Sequence, residues 1–253
     1  MITLKTITTI ELSNDCQLAC RYCVNRDMEK KAFRKRQIMS EEIFDRSLFW
    51  LKKLCDAGTQ QEVNMNGTGE SFLDTQLFSR IRKAKEIVGK DRRVSMSTNG
   101  LIMSDDIART LLASGLDDIT ISVHRTEVAR LAGQILATNH VKGTFNFGAV
   151  NAPHNWAGQL DKSQNVRILP DIPCHPLIEG RGYISVEGNV SPCCYDYRLI
   201  GVYGTVLDSD LDKKEIVPFD LCQHCHQLIP DEIAKAYGIE QIKRLPFCKS
   251  KTA

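Results

Sequence analysis

The sequence predicts an α/β fold: a partial (β/α)6 barrel followed by a small cysteine-rich unit with a β-hairpin. Three observations lead there. Short strand-like runs alternate with helical periodicities from Ile7 to Leu169, the order that builds a parallel sheet with helices outside it. Cysteines, glycines, hydroxyls and amides recur just after the strand-like runs, at the edge where ligands sit in such folds. Past about residue 170, Pro170, Pro173, Pro176, Gly180 and Gly182 break the helical pattern, and Cys174, Cys193, Cys194, Cys222, Cys225 and Cys248 follow.

In chain order, Ile7 to Leu12 reads as the first strand. Ser40 caps a helix running to about Cys55, with Ile43, Leu48, Leu51 and Leu54 on one side and Gly58 as its stop. Glu62 to Met65 is a short strand, and Asp74 to Val88 a helix ended by Gly89. Val94 to Ser97 is a strand leading into Thr98-Asn99-Gly100. Ser104 caps a helix through Ile107, Leu111 and Leu112 that Gly115 ends. Ile119 to Val123 is a strand, Glu127 to Thr138 a helix, and Phe145 to Val150 and Val166 to Leu169 two further strands. Tyr183 to Val186 and Val190 to Cys193 flank Glu187-Gly188-Asn189 as a hairpin. The domains expected are residues 1–170 and 171–253.

Composition narrows the class. With 253 residues, 42% apolar and 25% charged, the chain has the makeup of a soluble globular protein. A net charge of +2 gives no case for a nucleic-acid partner. The basic run Glu29–Arg36 lacks an aromatic ladder and reads as a solvated loop. The start has no long apolar segment and no run of about 18 apolar residues occurs, so export and a membrane partner are not expected. A cytoplasmic location follows, and there ten cysteines read as metal ligands or catalytic thiols, not disulfides.

Cys16, Cys20 and Cys23 stand at spacing C-x3-C-x2-C directly after the first strand. One loop can place three thiolates around one face of a [4Fe–4S] cluster, leaving the fourth iron open to a small molecule. Paired C-x2-C knuckles would suit zinc better.

The pattern resembles the radical S-adenosylmethionine (radical SAM) superfamily. Tyr22 precedes the third cysteine, Asn66-Gly67-Thr68-Gly69-Glu70 follows the second strand, Ser97-Thr98-Asn99-Gly100 the third and Ile121-Ser122-Val123 lies in the fourth, all in that family's order. The resemblance covers roughly residues 7 to 170 and implies a TIM-like partial barrel. It also implies a SAM-binding [4Fe–4S] cluster on Cys16, Cys20 and Cys23, with S-adenosylmethionine on the open iron. Its amino group would meet the backbone at Thr68 and Gly69, with Glu70 either anchoring the turn or accepting from the ammonium. Ser97, Asn99 and Ser122 suit the ribose and carboxylate, and Tyr22 the adenine. One electron from the cluster would release a 5′-deoxyadenosyl radical that takes a substrate hydrogen. A reducing flavodoxin or ferredoxin is the implied electron donor. Departures from the family pattern are Ser71 in place of proline and His124 where many relatives have Asp.

Cys174, Gly188 and Cys193 form C-x13-G-x4-C, similar to the opening of SPASM and twitch domains, and Cys222-Gln223-His224-Cys225 adds a C-x2-C. This resemblance implies one auxiliary [4Fe–4S] cluster on Cys174, Cys193, Cys222 and Cys225, acting as an electron acceptor. Structural zinc on the same four residues is the alternative. The glycine spacing favours Cys193 over Cys194; Cys248 is read as a spare and Cys55 as core. His175, His224 and His226 lie beside the ligands and are read as hydrogen-bond donors.

Size and cysteine layout resemble the twitch-type dehydrogenases that oxidise an alcohol carbon in a small molecule. Where those have an arginine before two glycines, this chain has Trp156 in His154–Gly158. Maturases that form a crosslink, thioether or epimer in a ribosomal peptide are the second class implied. A non-catalytic iron–sulfur electron carrier is a reading from another class, and the Gly69-Glu70 and Ser122 motifs count against it. His124, Arg125 and Arg167 are the candidates for moving a proton or holding an anionic group, against a bland role as partners of wall carboxylates.

Overall fold

The computed structural model describes residues 1–20, 22–26, 33–147 and 174–224. Its frame is a run of βα units. β1 (Thr6–Ile10) leads to α1 (Glu41–Asp56), β2 (Glu62–Met65), α2 (Leu77–Val88), β3 (Arg93–Thr98), α3 (Asp105–Ala113), β4 (Asp118–Ser122), α4 (Thr126–Thr138) and β5 (Gly143–Asn146). β6 (Arg181–Ile184), β7 (Asn189–Ser191) and β8 (Gly204–Thr205) follow. All belong to one sheet of order β5-β4-β3-β2-β1-β6-β7-β8, parallel from β5 through β6 and antiparallel beyond.

Local chemistry sets the helix ends. The Ser40 hydroxyl accepts from the Ile43 N–H at 3.2 Å, and Ser104 accepts from the Ile107 N–H at 3.3 Å. Each satisfies one of the donors a helix start leaves without a partner. α1 buries Phe44, Leu48, Trp50, Leu51 and Leu54. The Trp50 indole N–H donates to the Val206 carbonyl at 2.9 Å, tying α1 to the chain just past β8. Truncating so large a buried ring costs about 3–5 kcal/mol.

α2 starts at Leu77, not at Asp74. A 3-10 turn occupies Ser71–Leu73, the Asp74 carboxylate accepts from the Gln76 N–H at 2.9 Å, and Asp74 pairs with Arg80 at 3.0 Å. A side chain that bonds the backbone two residues on favours a turn over a helix. β5 also starts earlier than expected, at Gly143. The expected strand Val166–Leu169 lies outside the described residues.

The hairpin expected around Glu187-Gly188-Asn189 forms, with β6 antiparallel to β7, Tyr183 opposite Ser191 and Ile184 opposite Val190. Its first strand also pairs in parallel with β1, Thr9 opposite Tyr183 and Ile10 opposite Ile184. The Glu11 N–H continues that pairing to the Ile184 carbonyl at 2.9 Å. Strand signals are read from nearest neighbours, and edge partners are not.

The two faces of the sheet differ in chemistry. Val63, Met65, Val94, Met96, Ile119 and Ile121 are fully buried within the main core, the face the helices cover. The opposite face is polar. Tyr183, Thr9, Asn64, Ser95 and Asp118 share one row across the sheet, Ser97, Thr120 and Thr144 the next, and Ser122 and Asn146 a third. Side chains alternate along each strand, so every second residue joins one face.

Candidate functional site

The loop carrying Cys16, Cys20 and Cys23 leaves β1 and is held by its own polar groups. The Asp15 carboxylate accepts from the Cys16 N–H at 2.9 Å and from Arg36 at 2.9 Å. Asn25 donates to the Asn14 carbonyl at 2.7 Å and accepts from Arg36 at 3.1 Å. Two sulfurs are oriented by the backbone: Cys16 Sγ accepts from the Leu18 N–H and Cys23 Sγ from the Asn25 N–H, each at 3.4 Å.

Three strand ends meet this loop. The Glu70 N–H after β2 donates to the Asp15 carbonyl at 2.7 Å, and Asn25 reaches the Thr68 carbonyl at 3.3 Å. Asn99 after β3 points its amide at Cys16 Sγ, 3.9 Å away. After β4, His124 Nδ1 and the Tyr22 hydroxyl stand 2.7 Å apart with their rings stacked. The structure therefore gathers Cys16, Cys23, Tyr22, Thr68, Gly69, Glu70, Asn99 and His124 on one rim. Ser97 and Ser122 lie half-buried on the polar face, without a side-chain hydrogen bond among the described residues. Arg125 is exposed at the start of α4. Arg167 and the stretch His154–Gly158 lie outside the described residues.

Between the two roles left open for Glu70, the geometry favours the anchor. One oxygen accepts from the Thr98 hydroxyl at 2.8 Å and the other from the Asn99 N–H at 2.8 Å. Burial raises its pKa, against these hydrogen bonds that pull it down. Gly69 also has a structural reason of its own. A Cβ there would sit 2.4 Å from the Asp15 carbonyl and 2.5 Å from that of Ser13, so the close approach it permits is that of the cysteine loop itself.

Reasoning from sequence missed the residues that brace the rim. Glu11 is fully buried: one oxygen accepts from the Thr68 N–H at 2.8 Å and hydroxyl at 2.6 Å, the other from Arg34 at 2.5 Å. Arg34 corrects the reading of Glu29–Arg36 as solvated, since its side chain is 3% exposed. Two carboxylates and a carbonyl replace the water that its guanidinium would lose. The available signal was an acidic residue inside the apolar run Ile7–Leu12.

The donor set fits a cluster held by three thiolates. The three cysteines come from one loop, and backbone N–H groups already point at two sulfurs, as cluster thiolates require. Burial raises the Cys16 thiol pKa and pushes that of Cys23 up to about 11, so a metal here displaces protons as it binds. Among the described residues no three His, Cys, Asp or Glu side chains converge on a point as ligands of one ion do. Ligands to three separate irons of a cubane stand farther apart than that.

The second cysteine group is built differently. Cys193 Sγ accepts from the Tyr195 N–H at 3.4 Å, and Cys193, Tyr195 and Cys222 all pack on Phe219 and Leu221. Of the neighbouring pair, Cys193 is half-buried and Cys194 exposed. Cys174 opens the short turn His175–Ile178, and Cys55 packs against the main core. Cys225, His226 and Cys248 lie outside the described residues. Asp196 holds the Cys193 loop, accepting from the Ser191 hydroxyl at 2.8 Å and from the Ile200 and Gly201 N–H groups at 2.9 and 2.8 Å.

Residues 10–131 match the model of the Radical SAM superfamily. Among curated proteins the chain is similar to the GTP 3′,8-cyclase of Aquifex aeolicus (strain VF5), 29% identical over 47% of this chain and 35% of that one. It is also similar to the GTP 3′,8-cyclase of Parasynechococcus marenigrum (strain WH8102), 30% identical over 52% and 38%. The matches thus span little more than a third of these relatives. Among solved structures the fold is like that of BtrN in complex with AdoMet and 2-DOIA, with a TM-score of 0.64 and 20% identity over 89% of this chain and 94% of that one. It is also like that of anSMEcpe with bound AdoMet, with a TM-score of 0.56 and 13% identity over 87% of each. Among the described residues no helix is long and apolar enough to cross a membrane.

Proposed function

We propose that this chain is a radical SAM enzyme that oxidises a small polar molecule. In this reading residues 1–170 form the core and residues 171–253 a twitch-like unit with one auxiliary [4Fe–4S] cluster. The observation that carries the first half is the convergence of the Cys16–Cys23 loop with the ends of β2, β3 and β4 on one rim. Bound there, the cluster would supply the electron that cleaves S-adenosylmethionine to a 5′-deoxyadenosyl radical able to take hydrogen from a substrate carbon.

The chain's own residues do the rest. Cys16, Cys20 and Cys23 would hold the cluster through three thiolates. Glu70 fixes Thr98 and Asn99, so the Asn99 side chain stays beside Cys16. Tyr22, tied to His124, closes the rim from the β4 side. The polar inner face offers hydroxyls and amides to a substrate rich in hydrogen-bonding groups. Cys174, Cys193, Cys222 and Cys225 would hold the auxiliary cluster, which would supply an acceptor for the second electron of the oxidation.

Anaerobically reconstituted protein is expected to hold about eight irons, as two [4Fe–4S] clusters require. Reduction with S-adenosylmethionine should release 5′-deoxyadenosine. Four irons would remove the auxiliary cluster from this reading, and no 5′-deoxyadenosine would overturn it. The relatives named GTP 3′,8-cyclase give the second reading, a ring closure on a nucleotide. GTP that raises 5′-deoxyadenosine release above the substrate-free level would favour it.

A further inference from the structure

One buried cation ties the two cysteine regions together. The Arg34 guanidinium forks onto Glu187, Nε to Oε1 at 3.0 Å and Nη2 to Oε2 at 2.7 Å. Nη2 also meets Glu11 Oε2 at 2.5 Å, and Nη1 reaches the Tyr197 carbonyl at 3.5 Å. Each end leads to a candidate site. Through its other oxygen Glu11 holds both the N–H and the hydroxyl of Thr68, in the loop expected to receive the amino group of S-adenosylmethionine. Glu187 sits in the β6–β7 turn. Tyr197 lies four residues past Cys193, fully buried, and packs with Val24 and Cys23.

Stability alone does not call for this arrangement. Apolar side chains of similar volume commonly replace a buried ion pair at no loss, whereas ion pairs can specify one geometry over others. An arginine fork bonded to two carboxylates admits few arrangements, so moving one carboxylate moves the other. Loops joined this way change together when a ligand orders either of them.

We propose that Arg34 is a positioning residue that couples the Asn66–Glu70 loop to the Cys193–Tyr197 loop, so that S-adenosylmethionine bound at the first orders the second. The inference rests on the reading given under Proposed function for the Thr68–Glu70 loop.

The test is hydrogen exchange on the reconstituted full chain with and without S-adenosylmethionine. In the wild type the ligand should slow exchange at residues 68–72 and, by about fivefold, at the Ile200 and Gly201 N–H groups that Asp196 holds. Arg34→Lys keeps the charge but not the fork, and Glu187→Gln keeps Arg34 on Glu11. Both should retain the slowing at 68–72; at 200–201 Arg34→Lys should lose it and Glu187→Gln should weaken it, because there the Nη1 contact to the Tyr197 carbonyl remains. Equal slowing at 200–201 in the variants, or none there in the wild type, overturns the proposal. No slowing at 68–72 in the wild type instead overturns the S-adenosylmethionine reading itself. Should Arg34→Lys not fold, Glu187→Gln decides by degree: Glu187 is 26% exposed and the amide is isosteric with the carboxylate, so slowing at 200–201 as large as in the wild type overturns the proposal. Either single result is sufficient.

Discussion

The two cysteine regions are built by opposite means. Cys16, Cys20 and Cys23 sit within one loop of eight residues, and three strand ends buttress that loop. Cys174, Cys193 and Cys222 come from three segments, and Cys193 and Cys222 both pack on Phe219 and Leu221. The first region depends on short-range spacing plus a braced rim. The second depends on packing between distant segments, with Asp196 bracing the Cys193 loop locally.

The sharpest test of that difference pairs two substitutions. Cys20→Ala should abolish 5′-deoxyadenosine release and remove about four irons, while Cys193→Ala should remove about four irons and leave uncoupled cleavage of S-adenosylmethionine intact. Iron assay and product chromatography read both. If Cys193→Ala also stops cleavage, the regions are not separable as described.

Next in size is Glu11→Ala. It strips a buried carboxylate from Arg34 and from Thr68, and breaking such a pair costs about 3–5 kcal/mol in urea unfolding. An effect under 1 kcal/mol would show that Glu11 does not brace the rim. Asp196→Ala should cost about 1–3 kcal/mol through the Ser191, Ile200 and Gly201 donors it leaves without an acceptor. It should lower iron uptake at the second group only. Gly69→Ala forces the chain away from Asp15 and should cost about 1–3 kcal/mol, with weaker S-adenosylmethionine binding by equilibrium dialysis.

The smallest effect concerns His124, whose pKa burial lowers below 6.5. The folded state holds it neutral more firmly than the unfolded chain does. Its stabilising contribution is therefore complete above pH 6.5 and declines as the pH falls below that value. Thermal unfolding from pH 8 to 5 should show a dip that His124→Gln removes.

What the sequence made legible was local. Ser40 and Ser104 were readable as caps because a cap needs only the N–H three residues on. The alternation of β1 to β5 with α1 to α4 was readable from periodicity, and so was the Cys16–Cys23 loop, from spacing alone. What escaped was relational. Glu11 interrupts an apolar run, and only the fold shows that Thr68 and Arg34 complete it. Gly69 was readable as a close approach, but not as the approach of Asp15.

By itself, then, the sequence determined the α/β alternation, the helix ends and the three-thiolate loop, because periodicity, caps and ligand spacing act within one or two turns of chain. Only the tertiary structure decided that β6 lies against β1, that Glu70 anchors Thr98 and Asn99, and that Arg34 is buried between Glu11 and Glu187. Those outcomes depend on which distant groups replace lost water around a strand edge or a charge, and partners far apart in the chain leave no mark on its local pattern.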